Sequence, residues 1–185
     1  MSYKDLKTYQ TAVIIYDFTA EFCNCYVKPA GQTDRIYRSY RTADQMIQAA
    51  RSGKQNIVEG STERVSKKSE LKLLGVARAS FQELLEDFED FLRQNKFRQW
   101  DKDEPVAKEV RVLAYQTDRA DQAYRAYLSR PEKAANCAIC LINQENFLLD
   151  RQIKALEEKF IKEGGWTEQL RKKRIDERKR RIGWG

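Results

Sequence analysis

The stretch QMIQAARSGKQNIVEGS, residues 45–61, decides how the rest of the chain is interpreted. It predicts the second half of a helix that ends at Gly60, because glycine commonly follows the last turn of a helix. Gly53 lies inside this helix among other small residues, and glycine there costs about 1 kcal/mol relative to alanine. We therefore expect a neighbouring helix or chain to approach closely at Gly53. Lys54 is the one position on the apolar line of this helix that is not apolar.

Five segments of the chain carry apolar residues at spacings of three and four, the pattern of helices with one buried face. The apolar positions run from Leu6 to Val27, Ile36 to Ile57, Leu74 to Phe91, Val106 to Tyr127 and Ile139 to Phe160. Asp34 and Ser66 are the predicted N-caps of the second and third helices. Pro105 and Pro131 suit the first turns of the fourth and fifth helices, and Gly164 ends the fifth.

Helices of matched length joined by short loops predict an all-α fold, because such helices pack antiparallel, up and down. We predict an antiparallel up-down four-helix bundle over residues 1–130. An additional long C-terminal helix, the suffix helix, follows over residues 131–165, and a basic tail over residues 166–185. The suffix helix also carries apolar residues beside its main face. It should therefore pack across the bundle or join an interface between subunits.

The composition argues against an enzyme. The 185 residues include no histidine, which removes the commonest general base and the commonest zinc ligand. The net charge is +7, and from Trp166 onward eight basic residues face three acidic ones, so the tail carries +5 of it. A basic balance favours anionic partners such as nucleic acid. The first residues lack the apolar core of a signal peptide and no apolar run could span a membrane, which predicts a cytoplasmic protein with reduced thiols and no membrane partner.

Two sequence blocks resemble a known family. The first matches the pattern A-x-S-x-x-x-N-I-A-E-G-S at Ala50, Ser52, Asn56, Ile57, Glu59, Gly60 and Ser61, with Val58 where alanine is usual. The second matches L-x-x-A-x-x-S-x-x-E-L from Leu74 to Leu84. These blocks resemble the bacterial four-helix bundle family. That family includes proteins encoded in intervening sequences of large-subunit ribosomal RNA genes and the accessory variability determinant of diversity-generating retroelements. Residues 131–152 look like the suffix of one of its subgroups.

The resemblance implies an all-α up-down bundle that assembles as a barrel-like homopentamer. The retroelement relative binds its reverse transcriptase and nucleic acid. For this chain the resemblance therefore implies a homo-oligomer with RNA or DNA, and a reverse transcriptase, as expected partners. The suffix departs from the short retroelement protein and could change the oligomer or occupy the partner surface.

Basic residues around the second helix, together with the first cations of the tail, are the candidate nucleic-acid-binding residues. They are Arg35, Arg38, Arg41, Arg51, Lys54, Arg64, Lys67, Lys68, Arg171, Lys172, Lys173 and Arg174. Basic residues near aromatic ones such as Tyr37 or Tyr40 suit phosphate contact and base stacking. The alternatives are a solvated face with ordinary ion pairs and a tail that only adds solubility.

Asn56, Glu59, Gly60 and Ser61 form a candidate partner corner at the end of the second helix. Alternatively, Asn56 and Glu59 brace the loop into the third helix through hydrogen bonds to its backbone. A carboxylate at a helix C-terminus is disfavoured by the helix dipole, so Glu59 is expected to pair with a cation such as Arg64 or Arg78.

Neither the cysteines nor the acidic cluster of the third predicted helix fits the pattern of a metal site. Cys23, Cys25, Cys137 and Cys140 fall inside predicted helices rather than on the loops that structural zinc prefers. The acidic residues of the third helix are Glu83, Glu86, Asp87, Glu89 and Asp90. A di-iron bundle would need histidines beside them. We expect no metal and no cofactor, and we interpret the cluster as a solvated or subunit-pairing face.

The sequence thus favours a non-enzymatic, oligomeric four-helix bundle protein that binds nucleic acid without reading its sequence. An accessory role beside a reverse transcriptase is the form implied by the resemblance. The alternative is a protein–protein interaction or scaffold module, in which the suffix helix and the corner hold a partner and the basic tail is incidental.

Overall fold

Helices make up all the regular structure of the described chain. The structure, a computed structural model, describes residues 2–28, 35–62, 66–113 and 120–183, without the side chains of residues 35–39, 120–122, 166 and 182. Within these ranges no strand occurs, so the predicted all-α class is confirmed. The α-helices are α1 (Lys7–Phe22), α2 (Arg35–Thr62), α3 (Lys67–Gln94), α4 (Pro105–Leu113), α5 (Ala120–Arg125), α6 (Pro131–Glu163) and α7 (Trp166–Ile182).

The first predicted helix consists of three pieces. A 3₁₀ turn at Tyr3–Asp5 is capped by Ser2, α1 follows, and a π-helical turn at Cys23–Val27 ends the segment. The wider π turn closes through a hydrogen bond from the Lys28 amide to the Cys23 carbonyl, 2.9 Å long. Cys23 is fully buried there, with its sulfur 3.9 Å from that of Met46 on α2.

Helices α2 and α3 approach each other closely at Gly53. A Cβ atom built on Gly53 would lie 2.6 Å from the ring of Phe81, which is fully buried in the core. One position earlier on both helices, the hydroxyls of Ser52 and Ser80 share a hydrogen bond of 2.9 Å. The expected close approach at Gly53 is therefore confirmed, and the neighbour is α3.

The prediction that Gly60 ends the second helix is wrong. Helix α2 continues through Gly60 to Thr62. Gly60 is buried, and a Cβ there would lie 3.4 Å from the Cβ of Leu73 and 3.6 Å from the carbonyl oxygen of Glu70. A Cβ there would therefore make ordinary van der Waals contact with α3, and Gly60 does not adopt the left-handed turn that follows many helices.

Helix α3 lies at the centre of the core, as its apolar pattern predicts. Leu74, Ala77, Phe81, Leu84 and Phe88 are all fully buried. The predicted boundaries of three helices are also confirmed. The Ser66 hydroxyl accepts a hydrogen bond from the Ser69 amide at 3.4 Å, α4 and α6 begin at Pro105 and Pro131, and Gly164 ends α6 with a φ of 71°.

Helix α6, the predicted suffix helix, packs within the chain against α1, α3 and α4. The Thr8 hydroxyl of α1 donates to the Gln152 side chain at 2.9 Å, and Arg78 of α3 pairs with Asp150 at 3.1 Å. This two-sided packing explains why apolar residues surround much of α6. Residue 130 does mark the start of this helix, while its role as a domain boundary stays a prediction.

The prediction of one continuous helix from Val106 to Tyr127 is wrong. The Tyr124 hydroxyl donates to the Val110 carbonyl at 3.3 Å. Fourteen residues of continuous helix would hold these positions about 21 Å apart, so α4 and α5 do not belong to one straight helix. A 3₁₀ turn at Ala126–Ser129 then leads into α6. Helix α6 packs along α1 and α3, whereas α4 packs mainly against α6.

Neighbouring long helices run in opposite directions. Lys67 and Arg78 of α3 pair with Glu163 and Asp150 of α6, so the two helices are antiparallel. On α2, Lys54 contacts Tyr16 and the Ala43 region contacts Cys23, so α1 and α2 are antiparallel as well. The Ser52–Ser80 and Gly60–Leu73 contacts give the same result for α2 and α3.

One carboxyl group is buried in this core. Glu145 on α6 is fully buried, and neither of its oxygens has a hydrogen-bond partner among the described residues. Burial raises the pKa of Glu145 well above its ordinary value. The cause is that an unpaired buried carboxylate is far more costly than a buried carboxylic acid, so this site favours the uncharged form of the side chain.

Gly53 and Gly75 provide a matched test of the α2–α3 crossing. Gly53→Ala should destabilise the fold by about 1–3 kcal/mol, since the added methyl overlaps the buried ring of Phe81. Gly75→Ala is the matched control on α3, where a Cβ has no atom within 4 Å, and it should stabilise by up to about 1 kcal/mol. Urea unfolding midpoints check both. Equal effects of the two substitutions would contradict this crossing geometry.

Glu145→Gln tests the buried acid. Above the ordinary glutamate pKa the unfolded chain releases this proton while the folded chain keeps it, so stability falls as pH rises towards the folded-state pKa. The free energy of unfolding of the native protein should therefore drop relative to that of the variant by up to about 1.4 kcal/mol per pH unit above about pH 4.3. Denaturant unfolding from pH 4 to 8 measures the difference, and parallel curves for the two proteins would rule out a protonated Glu145.

Candidate nucleic-acid interface

Helix α7 is set off from the packed helices by a glycine pair. Gly164 takes a left-handed φ, which ends α6, and Gly165 is the N-cap residue of α7. The Glu168 carboxylate accepts a hydrogen bond from the Gly165 amide at 2.7 Å. Its negative charge also lies in the first turn of α7, where the helix dipole favours it. The local sequence thus starts a new helix of 17 residues in a new direction.

The basic residues of α7 are all exposed. Only one ion pair is seen on this helix in the described chain, between Arg181 and Glu177 at 3.3 Å. Leu170 and Ile175 are exposed as well, so the described side chains of α7, which do not include those of Trp166 and Ile182, form no apolar face buried against the core. The basic residues of α7 are Arg171, Lys172, Lys173, Arg174, Arg178, Lys179, Arg180 and Arg181.

The base of α7 lies beside the first turn of α3. Lys67 donates to Glu163, the last residue of α6, at 2.6 Å, and this hydrogen bond lowers the pKa of the Glu163 carboxyl. The charge of Lys159 on α6 also lowers the pKa of Glu163. Burial raises the pKa of Glu70, and the charge of Lys159 opposes this rise. Lys68 is exposed at the same end of the molecule. Lys67 and Lys68 therefore lie close to the start of α7.

The cations of α2 lie apart from that end. Arg41 and Arg51 are exposed, but Arg41 precedes the end of α2 by about 21 residues, or roughly 32 Å of helix. Arg64 and the side chains of Arg35 and Arg38 lie outside the described residues. Among the residues that can be placed, the predicted basic cluster therefore divides into an α7 end and a separate stretch along α2.

Lys54 has a contact that the sequence did not suggest. Its ammonium lies over the ring of Tyr16 on α1, 4.1 Å from the ring centroid. Such a cation–π contact stabilises by about 0.5–2 kcal/mol, depending on how far the pair is removed from water. Lys54 is half-buried, and this contact braces α2 against α1.

The predicted partner corner is largely occupied by its own helix contacts. The Asn56 amide donates to the Ser52 carbonyl at 2.9 Å and lies 3.3 Å from the Ser52 hydroxyl, which in turn bonds Ser80. Gly60 faces α3, and the Ser61 hydroxyl is buried without a partner among the described residues. Of the four corner residues only Glu59 is exposed.

The expected partners of Glu59 fall elsewhere or outside the described chain. Arg78 pairs with Asp150 of α6 and bonds Gln82, so its guanidinium is directed away from the end of α2. Arg64 lies outside the described residues. Asn56 thus bonds within α2, to Ser52, and the predicted bonds to the following loop are not seen among the described residues. A partner site at this corner stays a prediction.

The acidic cluster of α3 borders a groove between α2 and α3. Burial and the charges of Asp90, Glu83 and Glu86 raise the pKa of Asp87 to about 6. Gln45 and Asp87 line this groove, which extends to Ser52 and Ser80 at one end and to Asn95 at the other. No group of metal-binding side chains is found among the described residues.

The four cysteines are separate thiols. Cys23 and Cys137 are buried, Cys140 is half-buried and Cys25 is exposed. Burial raises the pKa of the Cys23 thiol to about 12 and that of Cys140 to about 11. A thiol with a raised pKa is a poor nucleophile, so these side chains behave as small core residues.

Comparisons with protein-family models, curated proteins and solved structures each found no match. The resemblance to the bacterial four-helix bundle family therefore rests on the motif residues alone and stays a prediction. Among the described helices, none combines the length and the apolar character needed to cross a membrane.

Proposed function

We propose that α1, α2, α3 and α6 form an antiparallel up-down four-helix bundle, and that α7 is a basic arm which binds nucleic acid without reading its sequence. The protein acts as a non-enzymatic, homo-oligomeric binding protein in this proposal. The observation that carries the proposal is the exposure of all eight basic residues of α7, on a helix whose described apolar side chains, Leu170 and Ile175, are exposed too.

The charge pattern of α7 suits a polyanion better than a folded protein surface. Its basic residues occur in two groups of four, residues 171–174 and 178–181, and each group covers more than one full turn. Cations on all sides of a helix can reach phosphates on both strands of a groove, but they do not form the convergent set that reads base edges. Lys68 and the cations at the base of α7 extend the same positive region onto the bundle.

An accessory role beside a reverse transcriptase is the more specific form of this proposal, and it depends on the family resemblance. The homopentamer has the same basis. Both fit a protein whose bundle supplies a rigid support while its basic arm holds the nucleic acid.

Replacing the first basic group of α7 tests the arm. Arg171, Lys172, Lys173 and Arg174 all changed to Gln should weaken binding to a short duplex. The slope of log affinity against log salt should fall by up to about 3.6, since each lost phosphate contact removes about 0.9. The matched control changes four exposed cations outside α7, namely Lys4, Lys102, Lys133 and Lys154, to Gln.

Fluorescence anisotropy across a salt series gives affinity and slope for each protein. The control should keep most of the slope despite the same change in net charge. If the α7 variant keeps the native slope, the arm does not carry the binding.

A protein–protein module is the second candidate, and exposed apolar side chains favour it. Phe147 is 58% and Ile161 81% exposed on α6. In this candidate the bundle and α6 hold a protein partner without α7. A chain ending at Gly165 should then capture a reverse transcriptase as well as the full chain does, whereas loss of capture on truncation would assign the contact to α7.

A further inference from the structure

The outer face of α3 has a regular order of charge. Its exposed residues fall within about 100° of the helix circumference, opposite the buried side. At the C-terminal end of α3 they are Asp90, Arg93 and Gln94, of which Asp90 and Arg93 form an ion pair at 2.8 Å. Between residues 68 and 86 they are Lys68, Lys72, Gly75, Val76, Ala79, Glu83 and Glu86. We call these seven residues the α3 outer face. It begins basic, becomes small and apolar in the middle, and ends acidic.

This order is complementary to its own reverse. A second α3 helix laid antiparallel, with its centre between Val76 and Ala79, brings Lys72 opposite Glu83 and Lys68 opposite Glu86. Each of these contacts then occurs twice, because the arrangement has twofold symmetry. The small and apolar residues at the centre of one copy then lie against those of the other copy, so no charge is buried without a partner.

The charges of this face have no partners within the described chain. Neither lysine nor either glutamate takes part in an ion pair there, whereas Arg78 at the edge of the face is already paired with Asp150. The carboxylates at the acidic end also repel one another: besides burial, the charges of Asp90, Glu83 and Glu86 raise the pKa of Asp87. Two lysines from another chain would offset this repulsion.

The centre of the face allows a close approach. A Cβ at Gly75 would meet no atom within 4 Å, and Val76 is 40% exposed. Gly75 and Ala79 are one turn apart and present almost no side chain, so two helix backbones can come near enough for Val76 of each copy to pack on the other. Glycine at an exposed helix position otherwise only weakens the helix.

We propose that two copies of this chain pair through the α3 outer face, antiparallel and with twofold symmetry, held by Lys72–Glu83 and Lys68–Glu86 contacts between the copies. This interface contains no residue of α7 and does not require nucleic-acid binding, although Lys68 belongs both to it and to the basic region beside the base of α7. It also differs from the ring implied by the family resemblance, because a ring joins two different surfaces of each subunit.

Charge reversal tests the symmetry directly. Lys72→Glu alone and Glu83→Lys alone should each lower the association constant by on the order of tenfold or more, since two attractive contacts become repulsive. An equimolar mixture of the two variants should pair again, because each contact between unlike copies is then Glu opposite Lys. The double variant K72E/E83K should pair with itself for the same reason.

Sedimentation equilibrium of the full chain over a wide range of concentration gives the association constants. Lys154→Glu and Glu157→Lys are the controls, because they make the same charge changes at exposed positions of α6 and should leave pairing unchanged. Unfolding midpoints should match the native value for all variants, which separates loss of pairing from loss of fold.

The proposal is overturned if the native chain stays monomeric at every concentration, or if either single variant assembles like the native chain. It is also overturned if the mixture of variants fails to pair. A larger assembly that ignores both reversals would place the subunit contacts on another surface. Loss of duplex binding on changing α7 alone would leave this inference untouched.

Discussion

The contact of Gly53 with the ring of Phe81 is the constraint on which the rest of the packing depends. Any side chain at residue 53 would overlap a fully buried ring, so the sequence at this point sets how near α2 and α3 can lie. The neighbouring Ser52–Ser80 hydrogen bond fixes the register of the same crossing, and Gly60 lies in ordinary contact with α3 two turns later. The opposite side of α2 is then free to meet α1, where Lys54 lies on Tyr16.

Helix α6 completes the core at a cost in polar burial. It covers the sides of α1 and α3 that the α2–α3 crossing leaves open, and it brings Glu145 and Asn146 inside with polar atoms that lack partners among the described residues. Apolar residues of similar size would stabilise the fold more. The hydrogen bonds and ion pairs at the edges of α6, such as Thr8 with Gln152 and Arg78 with Asp150, hold one register of the helix against its neighbours.

Several features could be predicted because they are local. The helical periodicity, the Ser66 cap and the proline starts follow from the backbone and from neighbouring residues, and the need for space at Gly53 follows from the cost of glycine in a helix. The stop at Gly60 was mispredicted because glycine occurs both at helix ends and inside helices that contact a neighbour, and only the partner helix distinguishes them. The break between α4 and α5 was missed because apolar spacing continues across it.

The candidate interface shows the same limit. The charge of α7 is evident from the sequence, whereas its exposure on all sides depends on where α6 ends. The cations of α2 and of α3 lie in neighbouring segments of the sequence. In the structure, however, Arg41 and Arg51 lie along α2, away from its end near Lys67 and Lys68 of α3. Lys54 is close in sequence to Tyr40, yet its aromatic partner is Tyr16 on another helix, because the antiparallel pairing of α1 and α2 brings those residues together.

The account separates a packed scaffold from an exposed basic arm, and hydrogen exchange with and without a short duplex tests that separation most directly. Amides of α7 should exchange quickly in the free protein, because an exposed helix without packing opens readily. They should become protected when the duplex is added, while amides of α1, α2, α3 and α6 keep their protection unchanged. Protection that appears along α2 around Arg41 and Arg51, with α7 unaffected, would contradict the account.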